Sequence, residues 1–184
     1  MDWIHPIMVD TRRFIPINIA VLTVSDTRTL DDDKSGDLLE KRIKKSGHVL
    51  TSRLIIPDEK DQIVKVLENW ISEKDVDVII STGGTGLTGR DVTIEAHKLL
   101  YDKEITAFQT VFSIISMNKI GTSAIQSRAC AGVASGTYLF ALPGSPSACR
   151  DAWDEILVLQ FDYRHLPCNF VELIPRLEEF GRGK

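Results

Sequence analysis

The chain has little of what marks several protein classes. Three cysteines, Cys130, Cys149 and Cys168, are scattered through 184 residues with no Cys-x-x-Cys, which argues against a disulfide framework. The four histidines, His5, His48, His97 and His165, stand singly, without the ligand spacing of a zinc site. No apolar run approaches the ~18 residues that a membrane span needs. The first residues lack the basic start and apolar core of a signal peptide, so a cytoplasmic location is expected. Net charge is −4. The longest basic cluster, Lys41-Arg42-Ile43-Lys44-Lys45, reads as a solvated helix face, and the basic footprint of a nucleic-acid binder is missing.

What is present fits one globular domain. The chain is 43% hydrophobic and 26% charged, close to the average for such folds. Residues 1–14 read as an arm and residues 15–184 as the domain. Ile17 to Val24 is rich in Ile and Val and nearly uninterrupted, the pattern of a strand buried on both faces. Ser35 is placed to cap a helix carrying Leu38, Leu39 and Ile43, with Gly47 at its C-terminal end. His48 to Ile56 is a second strand. Pro57-Asp58-Glu59 turns into a helix whose apolar residues, Ile63, Val66, Leu67, Trp70 and Ile71, recur at steps of three and four. Val76 to Ile80 is a third strand, followed by a glycine-rich loop.

A mostly helical stretch, about residues 94–117, is expected to break near Asp102. Ala129 to Val133 and Tyr138 to Leu142 read as paired strands with Ser135-Gly136 in the turn. Ser145 as N-cap with Pro146 behind it starts a last helix that runs towards Leu159. Strands alternating with helices predict an α/β fold with a mostly parallel sheet. Trp70 and Trp153 fall on apolar helical faces and are assigned to the core.

Ligands of open α/β sheets bind beyond the carboxyl ends of the strands. Four segments lie at such ends: Ser25-Asp26, Pro57-Asp58-Glu59, the loop from Gly83 to Asp91, and Pro143-Gly144-Ser145. Successive glycines let backbone N–H groups converge on phosphate oxygens. Gly84-x-Gly86-x-x-Gly89 resembles a dinucleotide fingerprint, but it follows the third strand and no acid-ended strand comes about twenty residues later. Asp58 and Asp91 can act as a magnesium-binding pair beside a phosphate chain. Each also has a structural reading, Asp58 as a helix cap and Asp91 as a turn residue. Asp31-Asp32-Asp33 reads as a solvated loop. Arg90, Lys34 and Arg128 are cations able to meet phosphates.

Seven short motifs occur in order: Val24-Ser25-Asp26, Ser35-Gly36, Pro57-Asp58-Glu59, Thr82-Gly83-Gly84-Thr85-Gly86, Arg90-Asp91-Val92-Thr93, Ser127-Arg128 and Pro143-Gly144-Ser145-Pro146. Together they closely resemble the MoaB/MogA family of molybdenum-cofactor biosynthesis proteins. Cys149-Arg150-Asp151-Ala152-Trp153 and Leu166-Pro167-Cys168-Asn169-Phe170 look like its MoaB branch. Ile94 stands where the family pattern has proline, which removes a preset helix-start φ and no reactive group.

The resemblance implies a three-layer α/β/α subunit assembled as a homo-trimer or homo-hexamer. It implies transfer of AMP from Mg-ATP to the phosphate of molybdopterin, with Mg²⁺ held by Asp58 and Asp91, the catalytic pair. Ser25, Asp26, Thr82, Gly83, Gly84, Thr85, Gly86, Arg90, Pro143, Gly144 and Ser145 would meet the nucleotide. In this reading the backbone N–H groups of Gly83, Gly84 and Gly86 hold its phosphates, and Ser127 and Arg128 lie by the pterin. The downstream molybdate-insertion enzyme is an expected partner. Two alternatives stay open: a non-catalytic molybdopterin-binding scaffold, and a nucleotide pyrophosphatase resembling the competence-damage-inducible family. The C-terminal apolar residues Leu166, Phe170, Val171, Leu173 and Ile174 are expected to need cover, from the body or from another subunit.

Overall fold

The computed structural model describes residues 12–179; most of the expected arm therefore lies outside the described residues. Six strands form one sheet: β1 (Asn18–Val24), β2 (Val49–Ile56), β3 (Val78–Thr82), β4 (Lys103–Glu104), β5 (Cys130–Ala134) and β6 (Thr137–Leu142). Their order is β2-β1-β3-β6-β5-β4. The first four are parallel, whereas β5 and β4 run antiparallel to their neighbours. The helices are α1 (Lys34–Lys45), α2 (Lys60–Ser72), α3 (Thr93–Lys98), α4 (Thr106–Ile120) and α5 (Pro146–Ala152). The last continues through a π turn, Trp153–Leu157, into α6 (Val158–Gln160).

The run in β1 lacks alternation because both its faces are covered. Ile19 and Val21 pack into one core with Leu39 and Ile43 of α1, Phe108 and Phe112 of α4, and Trp153 beyond α5. Ala20, Leu22 and Val24 enter the other core with Ile63, Leu67 and Trp70 of α2 and Ala96 of α3. The result is the three-layer α/β/α arrangement expected, with both tryptophans in its cores. Among the described residues, no helix is long and apolar enough to cross a membrane.

Several elements depart from expectation. Asp33 caps α1 in place of Ser35, its carboxylate accepting from the Gly36 N–H at 2.9 Å. Asp33 is fully buried, so it is not the solvated loop acid that its neighbours suggest. The break near Asp102 is a two-residue edge strand, β4, too short and too polar to show periodicity. The C-terminal tail packs on its own body: Val171 is buried, and Phe170 and Ile174 rest against the same core. Leu166 and Leu173 of the tail remain exposed. Exposed apolar residues gather elsewhere, at Val111, Ile114, Met117 and Ile120 along α4 and at Ile125 after it.

Candidate active site

The connection from β1 to α1 is tied down by hydrogen bonds. Ser25 Oγ accepts from the Thr27 and Arg28 N–H groups at 3.3 and 3.2 Å. That turn sends the Arg28 guanidinium back to donate to Ser35 Oγ at 3.3 Å and to the Gly144 carbonyl at 3.0 Å. Ser35 Oγ donates to the same carbonyl at 2.8 Å. Beneath them, Asp33 accepts from Thr23 Oγ1 at 2.7 Å and from Arg53 at 2.9 Å. Burial disfavours the Asp33 charge, but the bonds from Gly36, Thr23 and Arg53 outweigh it and hold the carboxyl below its ordinary range. A side chain on Gly36 would collide with that carboxylate, which explains the Ser35-Gly36 pair.

The β3 end supplies the glycine loop. Gly83 has φ +98° and Gly84 φ +59°, values that disfavour any residue with a Cβ; one on Gly83 would also strike the Val24 carbonyl. The Gly83 N–H donates to the Leu142 carbonyl at 3.1 Å, so it is already used and cannot serve a phosphate as expected. A hydrogen bond from the Gly86 backbone helps to lower the Asp91 pKa. The Gly84 and Thr85 N–H groups have no partner among the described residues. Thr82 also differs from expectation. It is fully buried, with Oγ1 donating to the Pro143 carbonyl at 3.0 Å and lying 3.1 Å from Cys149 Sγ.

Arg128 braces this loop from behind. Its Nε donates to the Thr85 and Gly86 carbonyls, both at 2.9 Å, and its head pairs with Glu95 at 2.6 Å. Arg90 is held by Asp26 and Glu59, at 2.8 and 2.9 Å. The Arg90 hydrogen bond is the main reason that the Asp26 pKa lies below its ordinary value.

The two central acids are held differently. Asp91 Oδ2 accepts from the Thr88 N–H at 2.8 Å and from Thr88 Oγ1 at 2.6 Å, the turn role weighed from sequence, and the Thr88 hydroxyl is the first cause of its lowered pKa. Asp58 caps nothing: Glu59 stands at the α2 N-cap position and makes no side-chain bond there. The Asp58 N–H donates to Asp26 Oδ1 at 3.1 Å. Burial first, then the charge of Asp26, push the Asp58 carboxyl up, and the Asp91 charge adds to this.

Asp58, Asp91, Gly83 to Gly86, Arg90, Ser25, Ser127 and the Pro143-Gly144-Ser145 turn line one cavity of about 580 Å³, within the ~300–1,000 Å³ of small-molecule sites. Asp26, Thr82 and Arg128 do not line it, and Asp26 lines a neighbouring cavity with Ser25 and Arg28. Arg28 and Gln126 also line it and were not singled out from sequence, although Arg28 directly extends the Ser25-Asp26-Thr27 segment. A larger groove of about 790 Å³ lies beside Asp77, Gly136 and Glu178, at the amino ends of β3 and β6. The carboxyl end is where ligands of open α/β sheets bind, so the smaller cavity is the candidate.

Among the described residues, no three His, Cys, Asp or Glu side chains converge as a metal cage. Mg²⁺ seldom needs one, being held by one or two carboxylates together with substrate phosphates. The donors here are hard oxygens, and the repulsion of Asp58 by Asp26 and Asp91 is what a cation would relieve. The residues fit such an ion. Cys130 and Cys149 are buried, and burial pushes both thiols up to about 11, so neither is a nucleophile at neutral pH.

Comparison with known proteins gives a consistent result. A family model described as "Probable molybdopterin binding domain" matches residues 20–162. "Molybdenum cofactor biosynthesis protein B" of Escherichia coli K12 is 46% identical over 157 residues, covering 85% of this chain and 92% of that protein. A Methanocaldococcus jannaschii protein named "Probable molybdopterin adenylyltransferase" is 45% identical over 148 residues, covering 77% of this chain and 88% of its own. A crystal structure of a molybdenum cofactor biosynthesis protein B superposes with TM-score 0.82 at 37% identity, covering 91% of this chain and 99% of the other.

Proposed function

Because this chain belongs to the MoaB/MogA family of molybdenum-cofactor biosynthesis proteins, we propose that it adenylylates molybdopterin. A phosphate oxygen of the pterin attacks the α-phosphorus of ATP in line, the α–β bridging bond breaks, and pyrophosphate leaves. The observation that carries this reading is one cavity, at the carboxyl end of the sheet, lined by both Asp58 and Asp91 together with the glycine loop.

Each part has a physical task. The N–H groups of Gly84 and Thr85, without a partner among the described residues, are the donors for phosphate oxygens; Gly84 is one of the three expected from sequence, and Thr85 stands in for Gly83 and Gly86. Arg128 acts through the loop by fixing the Thr85 and Gly86 carbonyls, and Ser127 and Gln126 take the pterin side. Asp58 and Asp91 hold Mg²⁺, which when bound neutralises phosphate charge. The attacking phosphate oxygen is already ionised, so no general base is required, and catalysis is positioning plus electrostatics.

Incubation with ATP, Mg²⁺ and molybdopterin tests the reading, with pyrophosphate and adenylylated pterin as the expected products. The bonding of Asp91 to Thr88 favours one rival, a pterin-binding scaffold without turnover. Tight pterin binding with no pyrophosphate would establish that rival, and hydrolysis of a dinucleotide alone would point to a pyrophosphatase. The exposed apolar line Val111, Ile114, Met117 and Ile120 supports assembly into trimers or hexamers; a monomer in sedimentation equilibrium at micromolar concentration would reject that. A cytoplasmic setting and hand-over of product to the molybdate-insertion enzyme complete the proposal.

A further inference from the structure

Thr93 is fully buried at the start of α3, and its Oγ1 has no hydrogen-bond partner among the described residues. Native proteins seldom leave a buried hydroxyl unmet. It does not cap its own helix, because Val92 occupies the N-cap position. Its backbone N–H is tied to the Gly84 carbonyl at 2.9 Å, which presses the residue against the glycine loop. A first side-chain carbon on Gly84 would lie 2.5 Å from Thr93 Oγ1 and 2.5 Å from Asp58 Oδ1. The two oxygens therefore border one position that only glycine leaves open, without being bonded to each other. Gly84 serves twice, once for its φ of +59° and once for this gap.

We infer that Thr93 is a positioning residue for Asp58, its hydroxyl ready to donate to Asp58 Oδ1 and so fix that carboxylate for a divalent cation. This rests on the reading of Asp58 as the cation-holding acid. A cation on one carboxylate oxygen restricts how the group can turn, and Thr93 meets the oxygen that faces inward. The hydroxyl then gains the partner that it lacks, and the carboxylate gains a fixed orientation. A merely structural threonine would gain nothing from its hydroxyl, since valine has the same shape and no polar atom to bury.

The test uses the full chain with a non-hydrolysable ATP analogue bound and Mn²⁺ as probe, its binding read by water-proton relaxation, and thermal melts without metal alongside. Thr93→Val should leave the metal-free melt unchanged or higher and weaken Mn²⁺ binding about tenfold, the usual effect of removing a group that orients a metal ligand. Thr93→Ser should restore affinity, and Asp58→Asn should abolish it. If Thr93→Val binds Mn²⁺ like wild type while Asp58→Asn does not, the inference is overturned and the Asp58 reading stands. If Asp58→Asn binds like wild type, or wild type does not bind Mn²⁺, both fall. A lower metal-free melt and weaker binding in Thr93→Val and Thr93→Ser alike would assign the residue to packing and also overturn the inference.

Discussion

Asp33 and Asp58 sit at the same end of the sheet, one after β1 and the other after β2, and the fold treats them oppositely. Asp33 is completely buried, yet three donors surround it and its pKa falls. Asp58 is only half-buried, yet burial with no side-chain donor to offset it, and then the charges of two further acids, raise its pKa. Depth of burial does not explain the contrast; the supply of donors does. In the scaffold after β1 the buried Asp33 carboxylate is met by donors from the fold, whereas in the candidate site neither the Asp58 carboxylate nor the Thr93 hydroxyl has a side-chain partner among the described residues. Arg53 belongs to the first region: its two terminal nitrogens answer Asp33, Asp37 and Glu40 together, although its buried Nε has no partner among the described residues. Thr93 belongs to the second.

Exchanging each acid for its amide sharpens the comparison. The largest effect is expected on turnover. Asp58→Asn should lower kcat about a hundredfold or more, because transition-state charge stabilisation is typically worth a few kcal/mol. A carboxyl whose folded pKa exceeds its unfolded value weakens the fold as pH rises through that window, so the neutral-pH melt should be no lower. Asp91→Asn should fold, bind molybdopterin and lose a comparable share of turnover. It keeps an oxygen for Thr88, so the turn survives while the charge goes. Asp33→Asn should do the reverse. The melt should fall by roughly 6–12 °C, taking about 3 kcal/mol for a lost hydrogen bond to a buried charge. Near-normal kcat for Asp58→Asn, or an unchanged melt for Asp33→Asn, would break the contrast.

A smaller effect separates the regions by pH. The lowered pKa of Asp33 contributes stability that is present above its unfolded value of about 4 and is lost as pH falls through the folded value. Asp33→Asn should therefore lack the steepest part of acid unfolding. His48 acts earlier. It is buried, with Phe14, Trp153 and Phe161 around its ring, and its Nδ1 accepts from the Ile17 N–H at 3.3 Å. Burial lowers its pKa to about 4 against an opposing pull from Asp162. The unfolded chain takes up that proton first, so stability should decline as pH falls from 6.5 towards 4. His48→Leu should flatten that decline in melts taken across the range. An unchanged slope would remove His48 as its cause.

The strands other than β4, the glycine loop and the turn before α5 were legible in the sequence because each is written in neighbouring residues: a β-branched run, successive glycines, Ser145 ahead of Pro146. What was not legible depends on partners far along the chain. Asp33 belongs with the solvated Asp31-Asp32 pair until Arg53, twenty residues later, meets it. Thr82 matches the phosphate motif, but Cys149 and Pro143 turn its hydroxyl inward. The Gly83 N–H is claimed by Leu142, a sheet bond that no local pattern announces. The role of Arg128 emerges only once Glu95 and two carbonyls surround it.

The smallest effect concerns the cysteines, and it tests how far the satisfied scaffold extends. Cys149 lies between the two regions, 3.1 Å from Thr82 Oγ1 and 3.5 Å from the Pro143 carbonyl, beneath the turn that carries Gly144. Cys130 is 3.1 Å from the Tyr101 hydroxyl, which in turn reaches His97, itself bonded to Ser81. Both thiols titrate near 11, so at neutral pH neither is an ion and neither offers a nucleophile. Serine preserves the donor and acceptor at each site at the cost of a smaller atom. Replacing Cys130 and Cys149 by Ser and Cys168 by Ala should therefore leave kcat within about twofold. The melt should fall by a degree or a few, as expected for a slight loss of packing in a chain of this size. If kcat fell by orders of magnitude while the melt held, a thiol would be acting on substrate. If Cys149→Ser alone raised KM for ATP, the bonding beneath Gly144 would be setting the shape of the nucleotide site, and the line between scaffold and site would run through Cys149 instead of above it.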